Sequence, residues 1–259
     1  MSRLSPLRPP SPIRLEAAPP RALVRAGLAF RRRLRAVADS IVPAEVLAYE
    51  NSISFFRTRV AGALVELGVV DAIGDGERTP ADLAAELGLH AETLHRVLRL
   101  ATTHGLVQME GRRFALTRVG AALRSDASPT IGPWTTHLNR DAVQRSWGAL
   151  AETVRTGEPS FPATHGRSLW AYFGEHPDEE REFAQAMRNM SSLVLAWIVA
   201  GYPWPERGVV ADVAGGSGPV LAGVLSARPG PSGILVEAPG VLAEADGHLT
   251  RAGVRDRVE

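Results

Sequence analysis

The sequence contains neither cysteine nor lysine among its 259 residues. The absence of cysteine excludes disulfide bonds, thiolate zinc sites and cysteine nucleophiles. The longest apolar run, Leu193 to Gly201, is far shorter than the roughly 18 residues that a membrane span needs, and the N-terminus shows no signal-peptide core. We therefore expect a soluble protein and place it in the cytoplasm.

The charge of the chain is unevenly distributed although its net value is only +1, which argues against general affinity for polyanions. Nine of the 29 arginines lie in residues 1–42, where only Glu16 and Asp39 oppose them, so this segment carries +7 and the remainder −6. Six prolines lie in the same segment. We predict a disordered Arg/Pro-rich extension over residues 1–42. The alternative is a basic amphipathic helix from Leu23 to Val37 that contacts an acidic or membrane surface.

Residues 43–126 combine helical spacing with a hairpin pattern. Apolar side chains recur every three or four residues from Ile53 to Val70, which predicts a helix. Thr79 and Pro80 are typical of a helix start, and Gly88 is typical of its end. A second short helix from 91 to 103, a hairpin over 106–116 and a helix starting at Thr117 follow. Together these elements predict a winged helix.

The winged helix raises the question of DNA binding. Its second helix would read a groove through exposed polar side chains, and it offers His95, Arg96 and Arg99 beside Glu92. No basic stripe accompanies them. We therefore favour packing or dimerisation for residues 43–126 and predict no nucleic-acid partner and no membrane partner.

The remaining chain changes character near residue 203. Residues 127–202 are predicted to be helical, ending in a long helix from Pro177 to Ala200 whose acidic first turn suits the helix dipole. Strands and helices then alternate, which predicts the beginning of a parallel sheet in residues 203–259. The predicted elements are a strand over 209–213, a helix over 219–227, a strand over 233–236 and a helix over 241–252.

A glycine-rich loop, Ala214-Gly215-Gly216-Ser217-Gly218, follows the first of these strands. Ligands of open α/β sheets bind at this edge. Asp212, at the strand end, is placed to reach an ammonium group or an ordered water, and it would repel a pyrophosphate. The loop therefore favours a nucleoside with a positively charged group, with an ordinary strand-to-helix turn as the alternative.

Glu237 follows the second strand, 19 residues after Gly218. A carboxylate at this position can accept hydrogen bonds from both hydroxyls of a ribose. The alternative is a strand-end carboxylate that simply faces solvent.

These residues resemble the class I S-adenosylmethionine-dependent O-methyltransferases of the dimeric small-molecule type, which include plant phenolic and bacterial polyketide-tailoring enzymes. Three stretches in order carry the likeness, which extends from Pro43 to Glu259. They are the winged-helix region with Thr79-Pro80-Ala81-Asp82-Leu83-Ala84; Val154-Arg155-Thr156-Gly157 with Leu169-Trp170 and Phe183-Ala184-Gln185-Ala186-Met187; and the Asp212–Gly218 loop with Ile234-Leu235-Val236-Glu237-Ala238-Pro239.

The resemblance implies a mainly α N-terminal region followed by part of an α/β Rossmann-like domain. Residues 43–126 would form a winged-helix dimerisation domain, 127–202 a helical connector beside the acceptor, and 203–259 the N-terminal part of the domain that binds S-adenosylmethionine. The implied activity is methyl transfer to a hydroxyl of a small molecule, phenolic or polyketide-like, by a homodimer.

The resemblance also implies roles for individual residues. Asp212, Gly216 and Gly218, with Ala214 and Gly215 of the same loop, would line the amino-acid end of the donor, and Glu237 would bind its ribose. Phe183 and Met187 match the acceptor-side pair on the long helix. Plain core packing is the alternative for these two, because an aromatic residue and a methionine four positions apart usually face a neighbouring helix.

The chain departs from the family pattern at three points. Ala214 occupies the first glycine position of the loop and is expected at negative φ, and Glu237 replaces the usual aspartate. The sequence ends at Asp256-Arg257-Val258-Glu259, where the family enters its third strand. We expect the catalytic histidine and the adenine-contacting acid beyond residue 259, which makes the chain catalytically incomplete.

No residue of this chain is therefore assigned as catalytic. None of the seven histidines is predicted to stand at a strand end facing the loop, and no ligand cluster predicts a metal site. Three other functions stay open: a non-catalytic dimerising module, a winged-helix regulator that senses a nucleoside, and donor-dependent hydroxylation or decarboxylation.

Overall fold

The computed structural model describes residues 21–259, so residues 1–20 of the predicted extension lie outside the described residues. The chain divides into two compact units. Among the described residues, one consists of 21–34 together with Ser191–Glu259, and the other of Arg35–Met190. Both points of division fall inside helices. Neither coincides with residue 126 or residue 202, and the domain boundaries that the sequence predicts there remain predictions.

The first described element is a helix, α1 (Arg21–Ser40), where the sequence predicted a disordered extension with a basic helix from Leu23 to Val37 as the alternative. The prediction was wrong for this part because the six prolines all lie at or before Pro20. The segment that follows is free of proline up to Pro43 and rich in alanine, leucine and arginine, which are strong helix formers. A second helix, α2 (Ala44–Glu66), starts directly after Pro43.

The predicted winged helix is present. Its elements are α3 (Val69–Ile73), β1 (Glu77–Arg78), α4 (Pro80–Leu87), α5 (Ala91–Thr103), β2 (Val107–Glu110), β3 (Arg113–Leu116) and α6 (Arg118–Ala121). The three strands form an antiparallel sheet in the order β1-β3-β2. The end of α2 packs with these elements around one apolar core that includes Leu64, Leu83, Leu98 and Phe114.

Two threonines fix the helix starts predicted from the sequence. Thr79 Oγ1 accepts a hydrogen bond from Asp82 N at 3.2 Å, with Pro80 in the first turn of α4. Thr117 Oγ1 accepts from Gly120 N at 3.1 Å and donates toward the carbonyls of Gly105 and Leu106. Thr117 therefore connects the start of α6 to the residues just before β2.

The predicted helical connector is also present. It consists of α7 (Gly132–Asn139), α8 (Asp141–Gly148), α9 (Leu150–Thr156), α10 (Ser160–His165), α11 (Leu169–Glu175) and the long α12 (Pro177–Gly201). Helix α7 crosses α2 where Gly62 leaves room for Asn139, whose amide nitrogen donates to the Thr58 carbonyl at 3.1 Å and the Thr135 carbonyl at 2.8 Å. Across residues 21–259, no helix is long and apolar enough to cross a membrane.

The last elements alternate between strands and helices, as predicted. They are β4 (Val209–Val213), α13 (Pro219–Ala227), β5 (Ser232–Val236), α14 (Pro239–Arg251) and a 3-10 turn (Arg255–Arg257). The strands β4 and β5 pair in parallel, with Val213 opposite Val236. Leu221, Leu225, Leu235 and Leu249 form the core of this part. Residue Val258 then bridges Gly233 in parallel, on the other side of β5.

Candidate functional site

The glycine loop connects the end of β4 to the start of α13, where the sequence predicts it. Gly216 and Gly218 have φ values of +59° and +74°, in the left-handed region that glycine tolerates best. A Cβ at Gly216 would meet no atom within 4 Å, so the outer side of the loop is open to a ligand. Gly218 is instead packed inward, against the methyl groups of Leu235 and Leu249.

Ala214 also has a positive φ, +58°, so the expectation of a negative value was wrong. The loop must turn at this residue because its N–H donates to the Val236 carbonyl at 2.8 Å, continuing the pairing between β4 and β5 by one residue. Ala214 therefore adopts the left-handed conformation that a glycine, the usual residue at this first position of the motif, adopts easily. Among residues 21–259 it is the one non-glycine residue with a positive φ.

Asp212 lies directly over the loop. A Cβ on Gly215 would lie 2.5 Å from Asp212 Cγ and 2.6 to 2.7 Å from both carboxylate oxygens, which explains why residue 215 is glycine. Oδ2 of this carboxylate is shielded from solvent and has no hydrogen-bond partner among the described residues. Burial raises the pKa of Asp212, the backbone N–H of Leu221 lowers it, and the charge of Glu237 raises it further.

Glu237 reaches the same loop from the end of β5. Its Oε2 accepts a hydrogen bond from Gly216 N at 2.9 Å, and its Oε1 accepts one from Ala238 N at 2.8 Å. Both oxygens are oriented by backbone amides, and each keeps further lone pairs for a ligand hydroxyl. The structure thus brings Asp212, the loop and Glu237 together. The bond between Gly216 and Glu237 was not predicted, because no local pattern links residues 21 positions apart.

Phe183 and Met187 are half-buried on α12, within the unit formed by residues 35–190. The Phe183 ring lies 5.0 Å from the His137 ring, 5.2 Å from Phe173 and 6.2 Å from Trp170, measured between centroids. The sequence did not single out His137 or Phe173, because they come from α7 and α11 and no spacing connects them to α12. These contacts are compatible both with core packing and with one wall of an aromatic binding site.

His137 is the polar member of this aromatic cluster. Its side chain is buried, and burial lowers the pKa of His137, while the charges of Glu182 and Glu179 raise it in part. Glu182 forms an ion pair with Arg140 and is mostly shielded from solvent. Burial therefore favours the neutral imidazole beside Phe183, and an ion pair lies nearby.

Two family models match most of the chain. An O-methyltransferase dimerisation domain matches residues 50–126, and an O-methyltransferase domain matches residues 147–259. The first covers the winged helix. The second covers the connector from α9 to α12 and all the strands and helices that follow it.

Individual proteins agree with the family models. The chain is 34% identical over 206 residues to a mitomycin biosynthesis 6-O-methyltransferase of Streptomyces lavendulae, covering 79% of this chain and 59% of that one. The structure of the mitomycin 7-O-methyltransferase MmcR matches with a TM-score of 0.74 and 33% identity, covering 88% of this chain and 66% of that one.

A third protein was solved with ligands. The O-methyltransferase NcsB1 from neocarzinostatin biosynthesis, in complex with S-adenosylmethionine and 2-hydroxy-5-methyl naphthoic acid, matches with a TM-score of 0.65 and 32% identity. The match covers 79% of this chain and 63% of that one. The chain spans about 60% of the length of the curated relatives it matches. On the two family matches and these relatives, the chain belongs to the O-methyltransferase family that carries an N-terminal dimerisation domain.

Proposed function

We propose that this chain binds S-adenosylmethionine at the Asp212–Gly218 loop and serves methyl transfer to a hydroxyl of a small aromatic or polyketide-like acceptor. The observation that carries the proposal is the convergence of two carboxylates on one glycine loop. Asp212 and Glu237 end adjacent parallel strands and reach the loop from two sides. Ligands of open α/β sheets bind at this edge.

The residues present fit the proposed donor. Gly216 leaves open space in which backbone and ligand can approach closely. The buried, unpartnered Oδ2 of Asp212 suits an ammonium group, because a buried polar atom without a partner costs about 1–3 kcal/mol. The oriented carboxylate of Glu237 suits the two hydroxyls of a ribose. Two acidic side chains at one loop also favour a donor with net positive charge over a phosphate.

The chemistry assigned to this chain is binding and orientation. When bound, S-adenosylmethionine supplies a methyl group on a sulfonium, and transfer requires the acceptor oxygen, the methyl and the sulfur to be in line in a site that excludes water. Ala214, Gly215, Gly216 and Gly218 would hold the amino-acid end of the donor, and Glu237 would fix its ribose. Phe183 and Met187 would contact the acceptor. None of the described residues is assigned the removal of the acceptor proton.

The relatives support this choice of reaction and acceptor. Two of the matched proteins are named as O-methyltransferases of mitomycin biosynthesis and of a naphthoate, whereas others are named as N-methyltransferases, and NcsB1 was solved with an aromatic acid bound. The ring cluster around Phe183 supplies a flat, apolar contact of the kind that aromatic ligands use. The cytoplasmic location predicted from the sequence is kept as part of this proposal.

We also propose that the chain forms a homodimer through its N-terminal helices. The dimerisation family model begins at residue 50, within α2. Tyr49, Phe55 and Phe56 of this helix are each more than half exposed in the single chain. Clusters of exposed aromatic side chains are typical of association surfaces. Light scattering should give twice the 27.7 kDa mass of the chain, and Phe56→Arg should give the monomer mass.

Equilibrium dialysis with S-adenosylmethionine tests the donor site. The purified chain should bind saturably, and Glu237→Gln should weaken binding about tenfold or more, since a charge-assisted hydrogen bond contributes about 1.5–3 kcal/mol. Glu206→Gln is the matched control, because Glu206 is exposed in the same unit. Equal affinities for both variants, or no saturable binding by folded wild-type chain, would contradict the proposal.

A further inference from the structure

The carboxylate of Asp212 is enclosed by its own loop. A Cβ on Gly215 would lie 2.5 Å from Asp212 Cγ, so the carboxylate leaves no space for a side chain there, and its Oδ2 is out of contact with solvent. No described donor reaches this oxygen. Ionisation would leave Oδ2 without hydration and without a hydrogen bond to replace it, which favours the protonated acid.

The charged and polar groups around Asp212 act in opposite directions. Glu237 faces it from the end of β5, and the negative charge of Glu237 disfavours a second negative charge at the loop. From α13, the backbone N–H of Leu221 favours the ionised form. Burial is the largest effect, and burial and Glu237 together hold the pKa of Asp212 above its ordinary value. The ligand-free loop therefore keeps a proton on Asp212 at a pH where an exposed aspartate has lost it.

We propose that Asp212 exchanges this proton for the ammonium group of the ligand, so that binding at the glycine loop is linked to proton release. The O–H bond of the carboxylic acid breaks, the proton passes to the solvent, and the ionised carboxylate accepts a hydrogen bond from the ammonium. No oxidant, reductant or further reactant is needed. The inference rests on the proposed donor site and adds its regulation by pH.

The linkage has a definite sign. An ammonium group close to Asp212 lowers its pKa in the complex, so the complex binds fewer protons than the free chain. Affinity for an ammonium-bearing nucleoside therefore rises with pH, by up to tenfold per unit, between the pKa of Asp212 in the complex and its pKa in the free chain. Above the higher of these two values the affinity is constant.

Two probes separate the amino-acid end of the ligand from its nucleoside. S-adenosylhomocysteine carries the ammonium group, and 5′-methylthioadenosine has the same nucleoside and thioether but no amino-acid end. Calorimetric titrations between pH 4.5 and 8, each in two buffers with different enthalpies of ionisation, measure the number of protons released. We expect up to one proton for S-adenosylhomocysteine in the lower part of this range and none for 5′-methylthioadenosine.

The variant Asp212→Asn should bind S-adenosylhomocysteine more weakly and with no proton release. Its matched control is Asp256→Asn, at an exposed aspartate of the same unit, which should behave as the wild type. If Asp212→Asn does not fold, as judged by circular dichroism, the wild-type chain still provides the test. The ¹³C shift of the Asp212 carboxyl should then titrate at a lower pH with S-adenosylhomocysteine bound than without it.

The possible failures are distinguishable. Equal pH dependence for both probes, or an unchanged Asp212 titration on binding, would overturn the proton linkage and leave the donor site standing. If the folded wild-type chain bound neither probe, the donor site and the proton linkage would both be overturned.

Discussion

Replacing Ala214 by glycine is expected to stabilise the folded chain. Ala214 has φ = +58°, and the left-handed conformation costs an alanine roughly 1–2 kcal/mol relative to the right-handed one. Glycine adopts this conformation without that cost, but it loses about 0.5–1 kcal/mol more backbone entropy on folding. The net expectation for Ala214→Gly is a free energy of unfolding higher by about 0.5–1 kcal/mol.

Urea unfolding followed by circular dichroism measures this difference, provided that the slope with urea is the same in both proteins. The matched control is Ala243→Gly, at an exposed position inside α14, where the backbone is helical and glycine relieves no strain. That variant should be less stable than wild type by about 0.5–1 kcal/mol. The reasoning would be refuted if the two variants were destabilised alike, because residue 214 would then not require a positive φ.

Three further substitutions test other parts of the structure. Thr79→Ala removes the acceptor for Asp82 N at the start of α4 and should lower the free energy of unfolding by about 1 kcal/mol in urea titrations. Gly120→Ala would place a Cβ 2.0 Å from the Leu106 carbonyl oxygen, so thermal unfolding should show a loss of about 1–3 kcal/mol, whereas Gly174→Ala, in open space, should show none. Because the pKa of Asp212 is raised, the folded chain holds a proton that the unfolded chain releases. The free energy of unfolding should therefore fall as pH rises from the ordinary pKa of an aspartate to the raised pKa of Asp212. Urea titrations at several pH values should show that Asp212→Asn lacks this decline; a decline of equal size in the variant would exclude Asp212 as its source.

Local sequence signals predicted those elements that have their own start and stop residues. The helix α13 begins at Pro219 and ends at Ala227 as predicted, because Gly218 and Pro219 mark its start on the sequence itself. The helix α14 begins two residues before the predicted Val241, since Pro239 occupies its first position. The strand β1 was missed because its two residues, Glu77 and Arg78, carry no alternation of polar and apolar side chains.

The site was predictable in its residue types and not in its geometry. Asp212 and Glu237 could be placed at strand ends from the order of strands and helices. Their contacts depend on the register that sets Val213 opposite Val236, which no local pattern contains. That same register lets the Ala214 N–H pair with the Val236 carbonyl, so the chain leaves the sheet only after this amide, at the residue whose φ is positive. The neighbours of Phe183 likewise come from helices that are distant along the chain.

The most direct test of the account is a map of backbone amide shifts as S-adenosylhomocysteine is added to the ¹⁵N-labelled chain. We predict that the amides of Gly215 and Gly216 shift and saturate together, since the ligand would replace solvent on the outer side of the loop. Gly105 and Gly111, in the winged helix, have φ values of +70° and +59° and serve as internal controls that should not move. Saturating shifts at the loop would establish the donor site. Binding that left Gly216 unchanged while other residues shifted would contradict the account.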